Sequence, residues 1–559
     1  MRDSVSILIG GKAGQGIASI ETLLTKGFKR AGFYTFSTKE FMSRIRGGSN
    51  TTLIRISKRP INAPVFSVDI FVPLDTDAYY HAQERLTKET FLIAKKGEFE
   101  SDCTLYDHDL AALAKSIGSP IVSNTIAAAL IFGLLGCDVN ILREIVAELY
   151  SNELLDVNLK ALEIGAKLGE DNGNCLYCIE PNSSTQQTND LFLSGTEGVG
   201  FGAIAGGCNF ISSYPMSPST GVLTFLAKQS RTFGICVEQA EDEIAAFQMG
   251  LGVWYSGGRA ITTTSGGGFA LMGEGLSLSG ITETPMVVYL AQRPGPATGL
   301  PTRTEQGDLE LSIYSGHGEF PRIVLAPGDP KECFDLARMA FDLADHYQVP
   351  VIILSDQYLA DSYFHVERFE INSKQSVHHI IKTEADYKRY HLNESGISPR
   401  GIPGYGEGLV LVDSDEHTEE GLITESMNVR NEQNGKRLGK TALITNEAIV
   451  PEAAGEGEII VLGWGSTKHI IQEAVERIGD ERVSVIHFSW VHPLSESQLT
   501  PLRDARAIIV VENNATGQFA KLLKQHGIAI CAQILKSDGL SFFADELSEK
   551  LVSALKEIR

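Results

Sequence analysis

The chain has 559 residues, of which 43% are hydrophobic, and a formal net charge of −22 at pH 7. A chain of this length is expected to form two to four domains with ample apolar core. The acidic balance argues against binding to nucleic acid or to an anionic membrane surface, because both attract basic patches. No apolar run approaches the roughly 18 residues that span a bilayer, and the N-terminus enters a strand-like run without a signal-peptide pattern. We therefore expect a soluble, cytoplasmic protein.

The eight cysteines do not indicate a disulfide framework in a chain this long. Only Cys175 and Cys178 form a C-x-x-C pair. Structural zinc and iron–sulfur sites usually take four ligands, commonly from two such pairs. We therefore expect incidental thiols near a domain boundary, and no metal site on this chain.

Residues 1–171 alternate strand-like and helical patterns, which is typical of an α/β domain. The apolar run Val5–Ile9 predicts a buried strand, and the apolar stripe of residues 20–28 predicts a helix. The segment between them, residues 10–16, reads GGKAGQG. Backbone N–H groups of such a loop can bind an anion at a helix N-terminus, although the glycines can equally serve a tight turn. Their order matches neither the dinucleotide fingerprint nor a Walker A loop.

A second candidate anion-binding segment of this domain is residues 43–48, which read SRIRGG. Its two arginines could bind phosphate or carboxylate, although exposed arginines are usually only solvated. Residues 172–190 are polar and rich in turn-forming residues, which predicts a linker.

Three further regions follow the linker. Residues 191–365 contain strand-like runs separated by helical patterns, which predicts a mainly parallel sheet with helices on both faces. Residues 366–455 are more polar and are expected to bridge rather than to form a core. Residues 456–559 fit one small open α/β domain. The strand-like runs of the 191–365 region are Ile211–Ser213, Ile261–Thr264, Met286–Ala291, Ile323–Leu325 and Pro350–Ser355.

The segment from Glu238 to Gln306 holds the residues most suited to chemistry. Its acidic cluster, which includes Glu243, begins a predicted helix, where carboxylates favour the positive end of the dipole. Small residues follow Glu243, and a carboxylate in such a close-packed setting can exchange a proton with a ring nitrogen. Residues 262–268, TTTSGGG, supply hydroxyls and bare backbone at a strand end, where open α/β sheets bind ligands.

The same segment ends in a loop that carries Arg293 and Arg303. A bidentate arginine beside a threonine hydroxyl, such as that of Thr302, suits a carboxylate ligand. Upstream, the run Tyr214–Ser219 places two prolines around Ser217, which stiffens a turn and fixes its hydroxyl. Taken alone, this run is also typical of an ordinary rigid loop.

Several longer motifs resemble those of the 2-oxoacid:ferredoxin oxidoreductases. The α subunit of these enzymes has counterparts of SSYPMSPST, EDEIAA, TTTSGGGFALMGEG and QRPGPATGLPTRTEQGDL, and GWGST with VVENNATGQ fits its transketolase-C-like domain. GGKAGQG with SRIRGG resembles the γ subunit, so the chain resembles a γ–α fusion. The resemblance implies an α/β fold of three domains: a γ-type domain, a pyrimidine-binding domain and a transketolase-C-like domain. These enzymes use thiamine diphosphate to cleave a 2-oxoacid, release CO₂, pass two electrons through iron–sulfur clusters to ferredoxin, and form acyl-CoA.

The resemblance also assigns cofactor residues. Glu243 matches the glutamate that bonds the N1′ atom of the aminopyrimidine, and Glu241 is the alternative if the register differs by two. Thr264, Ser265 and Gly266 belong to the loop that would border the cofactor.

Substrate residues follow by the same comparison. Arg293 and Thr302 match positions that hold the substrate carboxylate and its neighbouring groups. Ser217 and Tyr214 lie where the family usually reads YPIT, so Ser replaces Thr, one methyl group is lost and the pocket shape differs.

The γ-type domain of the family is associated with coenzyme A. This association makes four residues candidates for the coenzyme A side of the site: Gly14, Gln15, Gly16 and Arg46.

One family motif is absent. The β subunit carries a GDG…N loop that holds Mg²⁺ on the cofactor diphosphate, and also the cysteines of the proximal cluster; no GDG occurs in this sequence. The resemblance therefore implies a chain that is active only with a separate β subunit, in a heterodimer or a dimer of heterodimers that reduces ferredoxin through β. The fusion favours 2-oxoglutarate or a broad substrate range, with pyruvate and branched-chain 2-oxoacids still open.

Two other functions compete with this interpretation. One is a non-catalytic assembly or regulatory subunit of the same fold, against which the presence of Glu243, Arg293 and Thr302 argues. The other is a nicotinamide- or flavin-dependent dehydrogenase that uses the N-terminal glycine loop. The glycine order disfavours it, as does the lack of an acidic residue at the end of an evident second strand.

Overall fold

The computed structural model describes residues 3–42, 47–170, 176–177, 190–369 and 376–558. Arg46, Cys175 and Cys178 lie outside the described residues, and so does most of the predicted linker. The chain forms two compact units. Unit 1 comprises Met1–Leu193, Ser362–Phe369 and Phe543–Glu549, and unit 2 comprises Ser194–Asp361, Glu370–Phe542 and Lys550–Arg559.

Unit 1 is built around an eight-stranded mixed sheet. Its strands are β1 (Ser4–Ala13), β2 (Tyr34–Glu40), β3 (Gly47–Ser57), β4 (Ile70–Pro73), β5 (Phe91–Ala94), β6 (Thr104–Asp107), β7 (Leu191–Ser194) and, numbered by its place in the chain, β14 (Tyr363–Val366). Its helices include α1 (Ile17–Arg30), α2 (Thr76–Ala82), α3 (Leu110–Ser116), α4 (Ser123–Leu134), α5 (Asn140–Leu149) and α6 (Asn152–Glu170).

The strand order in unit 1 is β6-β5-β4-β1-β3-β2-β14-β7. β1, β4, β5 and β6 are mutually parallel, whereas β1 and β2 both pair antiparallel with β3. The predicted strand and helix are confirmed as β1 and α1, but β1 continues through Ala13, because Gly10 and Gly11 pair with β3; only residues 14–16 of the predicted loop lie between the two elements. Because the carboxyl ends of parallel strands meet at one edge of a sheet, the glycine loop after β1 lies at the edge where α/β folds bind ligands.

Unit 2 contains a seven-stranded and a five-stranded sheet. Their strands are β8 (Phe210–Ser213), β9 (Cys236–Gln239), β10 (Ala260–Thr264), β11 (Met286–Gln292), β12 (Ile323–Leu325), β13 (Pro350–Asp356), β15 (Glu452–Ala454), β16 (Ile459–Trp464), β17 (Val483–Phe488), β18 (Trp490–His492), β19 (Ala507–Glu512) and β20 (Ala532–Leu535). The remaining helices are α7 (Gly195–Ala205), α8 (Thr220–Phe233), α9 (Glu243–Tyr255), α10 (Gly266–Leu271), α11 (Gly273–Thr282), α12 (Leu309–Tyr314), α13 (Pro330–Tyr347), α14 (Gln357–Asp361), α15 (Met427–Asn446), α16 (Lys468–Ile478), α17 (Glu496–Arg503), α18 (Gln518–Gln525) and α19 (Ala544–Glu557).

The seven-stranded sheet has the order β18-β12-β13-β11-β10-β8-β9. It is parallel from β12 to β9, as the sequence predicts, and β18 joins its edge antiparallel to β12. The five-stranded sheet, β15-β17-β16-β19-β20, is parallel apart from β15. The adjacent strands β17 and β18 therefore belong to different sheets of unit 2, which no periodicity in the sequence indicates.

The polar region between β14 and β15 contains α15, whose charged residues are partly buried. The ammonium group of Lys436 lies 2.7 Å from Glu283 Oε1, and Lys440 pairs with Glu283 Oε2; all three side chains are at most 2% exposed. Burial favours the neutral carboxyl, but Lys440, Lys436 and Arg389 together hold the pKa of Glu283 well below its ordinary value. The sequence of this region therefore looks polar although some of its charged side chains are buried and form ion pairs in the interior.

We expect Glu283→Gln to destabilise unit 2 by about 3–5 kcal/mol, because it leaves two buried ammonium groups without their counter-ion. Urea unfolding followed by tryptophan fluorescence measures this loss, since Trp254, Trp464 and Trp490 all belong to unit 2. Glu274→Gln, at an exposed position of α11, is the matched control. Equal midpoints for the two variants would contradict the role of the buried cluster.

Candidate functional site

The acidic cluster of the sequence contributes one buried carboxylate. Glu243 is the first residue of α9 and is 5% exposed, whereas Glu238, Glu241 and Asp242 are exposed. Asp242 caps the helix, and its Oδ1 accepts a hydrogen bond of 2.8 Å from Ala245 N. Because Asp242 satisfies the helix end, Glu243 is not needed there and turns into the interior.

Glu243 lies against a glycine whose missing side chain makes room for it. A methyl group on Gly268 would stand 2.7 Å from Glu243 Oε1 and closer still to Thr264 Oγ1. Among the described residues, no hydrogen bond or ion pair reaches the Glu243 carboxylate. A buried carboxylate without a partner is costly, so a donor from outside these residues would stabilise it.

Small residues bring α9 close to β10 and β8. Ser212 Oγ donates to the carbonyl of Ala246 at 2.6 Å, and a methyl group on Gly250 would lie 2.6 Å from Met286 Cε. Ser213 Oγ and Thr263 Oγ1 are hydrogen-bonded to each other at 2.7 Å. Hydroxyls that look available in the sequence therefore serve the packing between strand and helix.

Thr264 ends β10, Ser265 follows it, and Gly266 begins α10. Thr264 Oγ1 donates to Ser265 O at 3.2 Å, while Ser265 Oγ is buried and has no partner among the described residues. This short connection lies at the carboxyl end of a central parallel strand and adjoins Glu243.

The structure brings two of the predicted substrate residues together. Arg293 follows β11, and its Nη1 donates to the carbonyl of Ser217 at 2.7 Å, so the Ser217 hydroxyl is not used in this contact. Arg293 Nε is buried without a hydrogen-bond partner among the described residues. Burial lowers the pKa of the guanidinium, and Asp308 partly opposes that shift. Tyr214 is 39% exposed and Thr302 is half-buried; the side chains of both make no hydrogen bond within the described part of the chain.

The second half of the arginine loop is anchored by the five-stranded sheet. Gln306 N donates to Asn513 O at 2.7 Å, Asn513 N donates to Gln306 Oε1 at 2.9 Å, and Gln306 Nε2 donates to Trp464 O at 2.8 Å. The sequence analysis did not identify these residues as part of the site. Trp464 lies in the motif GWGST and Asn513 in the motif VVENNATGQ, so the sequence marks both positions, but no sequence pattern connects them to Gln306.

In unit 1 three of the predicted coenzyme A residues, Gly14, Gln15 and Gly16, line a pocket of about 370 Å³ whose wall also includes Lys95 and Asn124. Gly16 has a φ of 82°, and a side chain there would collide with the amide of Asn124. Asn124 Nδ2 donates to Gln15 O at 3.0 Å, and Gln15 Oε1 accepts from Lys12 N at 2.6 Å. Turn geometry thus accounts for Gln15 and Gly16 without a ligand. Gly14 has open space around it, and Arg46 lies outside the described residues.

Among the described residues, no group of three or more His, Cys, Asp or Glu side chains is placed to hold a metal ion. Within the same ranges, no helix combines the length and the apolar character needed to cross a membrane.

Two protein-family models match the chain. Residues 201–436 match the thiamine diphosphate-binding domain of pyruvate flavodoxin/ferredoxin oxidoreductases, and residues 6–168 match the pyruvate ferredoxin/flavodoxin oxidoreductase domain. Glu243, Arg293 and Thr302 fall within the first match, and Gly14, Gln15 and Gly16 within the second.

Individual relatives cover the chain almost completely. The 2-oxoacid:ferredoxin oxidoreductase subunit alpha of Sulfolobus sp. is 31% identical over 99% of this chain and 97% of its own length. The 2-oxoglutarate synthase subunit KorA of Archaeoglobus fulgidus is 30% identical and covers 65% of this chain and 98% of its own. Among solved structures, the 2-oxoglutarate:ferredoxin oxidoreductase of Magnetococcus marinus, with 2-oxoglutarate, coenzyme A and succinyl-CoA bound, superposes with a TM-score of 0.92. It is 29% identical and covers 99% of this chain and 100% of that one.

We expect Gly268→Ala to displace the Glu243 carboxylate and to lower stability by about 1–3 kcal/mol, because the added methyl group overpacks a filled site. Gly267→Ala is the matched control, since its methyl group would meet nothing closer than Ala297 O at 3.7 Å. That control should be neutral or stabilising by up to about 1 kcal/mol. Thermal unfolding of both variants measures the difference, and a Gly268→Ala protein as stable as the control would refute the close approach of Glu243.

Proposed function

Because this chain belongs to the 2-oxoacid:ferredoxin oxidoreductases, as a chain of the α-subunit type, we propose that it provides half of an active site that is completed by a separate β chain. The reaction converts a 2-oxoacid and coenzyme A into acyl-CoA, CO₂, one proton and two electrons. The bond between the carboxylate carbon and the carbonyl carbon breaks, and a thioester bond forms at the carbonyl carbon. The two electrons pass to ferredoxin through the β chain.

The observation that carries the proposal is the unpartnered, buried carboxylate of Glu243 beside Gly268. A ring nitrogen of an aminopyrimidine is a suitable partner, because it exchanges one proton with a carboxyl group over a short hydrogen bond. When bound, thiamine diphosphate supplies the carbanion chemistry that cleavage of the 2-oxoacid requires. Glu243 holds or releases the proton at the ring nitrogen, and the packed helix excludes water from it. Thr264, Ser265 and Gly266 border the same group, and Ser265 Oγ is free to donate to it.

Arg293 is proposed to bind the carboxylate of the 2-oxoacid. Its Nη1 is fixed by Ser217 O, which orients the guanidinium, and its buried Nε is available for a ligand. A charge-assisted contact of this kind is about twice as strong as a neutral one. Thr302, Ser217 and Tyr214 surround the substrate in this proposal, with their hydroxyls as donors.

Coenzyme A is proposed to bind on the γ-type domain, residues 1–171. The pocket lined by Gly14, Gln15 and Gly16 supports this assignment, since it lies at the carboxyl edge of the parallel strands and before the N-terminus of α1. Arg46 would contribute a cation from the neighbouring SRIRGG segment. We retain the division of the remaining chain into a linker at 172–190, a pyrimidine-binding domain at 191–365, a bridging region at 366–455 and a transketolase-C-like domain at 456–559.

The proposed partner is a β chain that carries Mg²⁺ on the cofactor diphosphate and an iron–sulfur cluster. The absence of a GDG sequence from the 559 residues supports a division of the site between two polypeptides. We propose a heterodimer or a dimer of heterodimers. For the substrate we propose 2-oxoglutarate or a broad range of 2-oxoacids, supported by the ligands of the Magnetococcus marinus enzyme and by the name of the Archaeoglobus fulgidus relative.

Glu243→Gln should reduce turnover of the enzyme assembled with its β chain by about 10²–10⁴-fold, because an amide cannot exchange a proton with the ring nitrogen. Glu241→Gln is the matched control, since Glu241 lies two residues away and is exposed. Steady-state acyl-CoA formation measures both. A reversed order, with Glu241→Gln the damaging change, would place the proton-exchanging group at Glu241 instead.

Arg293→Gln should raise the KM for the 2-oxoacid by about 10- to 100-fold, because it removes a charged hydrogen-bond donor to the carboxylate. The assay compares pyruvate, 2-oxoglutarate and a branched-chain 2-oxoacid with coenzyme A and a low-potential acceptor. Arg231→Gln, at an exposed position in the last turn of α8, is the control. An unchanged KM for every 2-oxoacid would remove Arg293 from the substrate site, and no turnover of any 2-oxoacid would refute the proposed function.

A further inference from the structure

The segment Gly266–Gly268 lies between two carboxylates. Gly268 faces Glu243, and Gly266 faces Asp308: a methyl group on Gly266 would lie 2.5 Å from Asp308 Oδ1 and closer still to Oδ2. Asp308 comes from the far end of the arginine loop, directly before α12. The sequence analysis did not single it out, and the proposed function gives it no role.

Asp308 is not explained as a helix cap. Its side chain makes no capping hydrogen bond to α12, and Oδ2 is closed off from solvent without a hydrogen-bond partner among the described residues. Its backbone, by contrast, is fully engaged: Asp308 N donates to Gln292 Oε1 at 2.9 Å, and its carbonyl accepts from Ser312 Oγ at 2.7 Å. The hydrogen bonds of the Asp308 backbone therefore hold its carboxyl group against the glycine backbone.

The charged groups that face Asp308 are Arg293, at the end of β11, and Glu305, on the same loop. Burial and then Glu305 raise the pKa of Asp308 to about 6, and Arg293 opposes the shift without forming an ion pair with it in the described residues. The neighbouring residues of the β10–α10 loop are uncharged, and Glu243 lies across the triglycine segment. On α12 the next acid, Glu310, is exposed and pairs with Lys521 of α18 at 3.3 Å.

Among the described residues, the charge that favours ionised Asp308 comes from Arg293, and the charge that opposes it comes from Glu305. A 2-oxoacid carboxylate that binds Arg293 adds a further negative charge near these groups. Like charges in a poorly solvated site cannot all remain ionised, and the group with the least solvation and no hydrogen bond takes the proton. Among these groups that is Asp308.

We propose that the carboxyl group of Asp308, buried beside Gly266 and next to the residue that precedes Arg293, takes up a proton when the carboxylate of the 2-oxoacid binds at Arg293. In the empty site the ionised carboxylate of Asp308 attracts the Arg293 guanidinium. Its protonation removes one negative charge as the substrate carboxylate brings another. The inference rests on the proposed role of Arg293 in carboxylate binding, and it adds a proton to the binding step.

Isothermal titration calorimetry on the assembled enzyme tests the proposal, in buffers of different ionisation enthalpy. The probe is oxamate, or N-oxalylglycine if 2-oxoglutarate is the substrate; both carry the carboxylate but are not cleaved. A shift of one pK unit on binding, from a starting pKa of about 6, corresponds to uptake of about 0.4 proton per site at pH 7. The uptake should vanish near pH 9, where Asp308 stays ionised in both states, and the probe should bind more tightly as the pH falls from 9 to 6.

Asp308→Asn should abolish the uptake and flatten the pH dependence of the probe's Kd, whereas Glu310→Gln should leave both unchanged. If the binding enthalpy of the wild-type enzyme does not depend on the buffer, the proposal is overturned without a variant. Proton uptake that persists in Asp308→Asn, or that disappears in Glu310→Gln, also overturns it. Turnover of a 2-oxoacid by the same preparation separates the two hypotheses. Turnover without proton uptake refutes only the role of Asp308, whereas an enzyme that neither turns over a 2-oxoacid nor binds the probe refutes the proposed function and this inference with it.

Discussion

The close approach of two carboxyl groups to the backbone of Gly266–Gly268 constrains everything around it. Glu243 reaches one end of this segment from α9, and Asp308 reaches the other end from the start of α12. A side chain at either end would occupy the volume of a carboxylate, so Gly266 and Gly268 must remain glycine. The surrounding hydroxyl groups of Ser212, Ser213 and Thr263 are satisfied by each other and by the carbonyl of Ala246. Within the described residues, the groups without partners are the Glu243 carboxylate, Asp308 Oδ2 and Ser265 Oγ.

The parallel sheet and the C-terminal region hold this arrangement from opposite ends of the loop. The β10 strand delivers the glycines and β11 delivers Arg293, both at the carboxyl edge of the sheet. The other end of the arginine loop is fixed by Gln306, whose side chain and backbone bond to Asn513 and Trp464. A loop without regular structure therefore keeps a defined shape because two separate parts of unit 2 bind its ends. The proposed substrate-binding groups can then be held by rigid elements although they lie on a loop.

The parts of this structure that can be predicted from sequence are those encoded by local pattern. The apolar runs predict β8, β10, β11, β12 and β13 close to their observed bounds, and the cluster EDEIAA predicts a helix with an acid at its start. The run Val5–Ile9 predicts β1 but not its continuation to Ala13, where glycines replace the apolar side chains. A sequence pattern does not show which residues that are far apart in the chain lie close together in the fold. Lys436 and Lys440 are buried because Glu283 meets them from another helix, yet in the sequence they are typical of a solvated surface. Asp308 likewise follows a turn-like EQG, and only the fold brings it to Gly266. Conversely, the glycine loop of residues 10–16 looks like a ligand site in sequence, and the structure supplies a turn that explains Gln15 and Gly16 by packing alone.

The central claim is that this chain contains the proton-exchanging and carboxylate-binding half of an active site and depends on another chain for the rest. The most direct test compares the chain expressed alone with the chain co-expressed with a candidate β subunit. Each preparation is supplied with thiamine diphosphate, Mg²⁺, coenzyme A and a 2-oxoacid, and both acyl-CoA formation and the visible absorbance of an iron–sulfur cluster are measured. The account predicts neither signal from the chain alone and both from the assembled enzyme. Acyl-CoA formation by the isolated chain would contradict it.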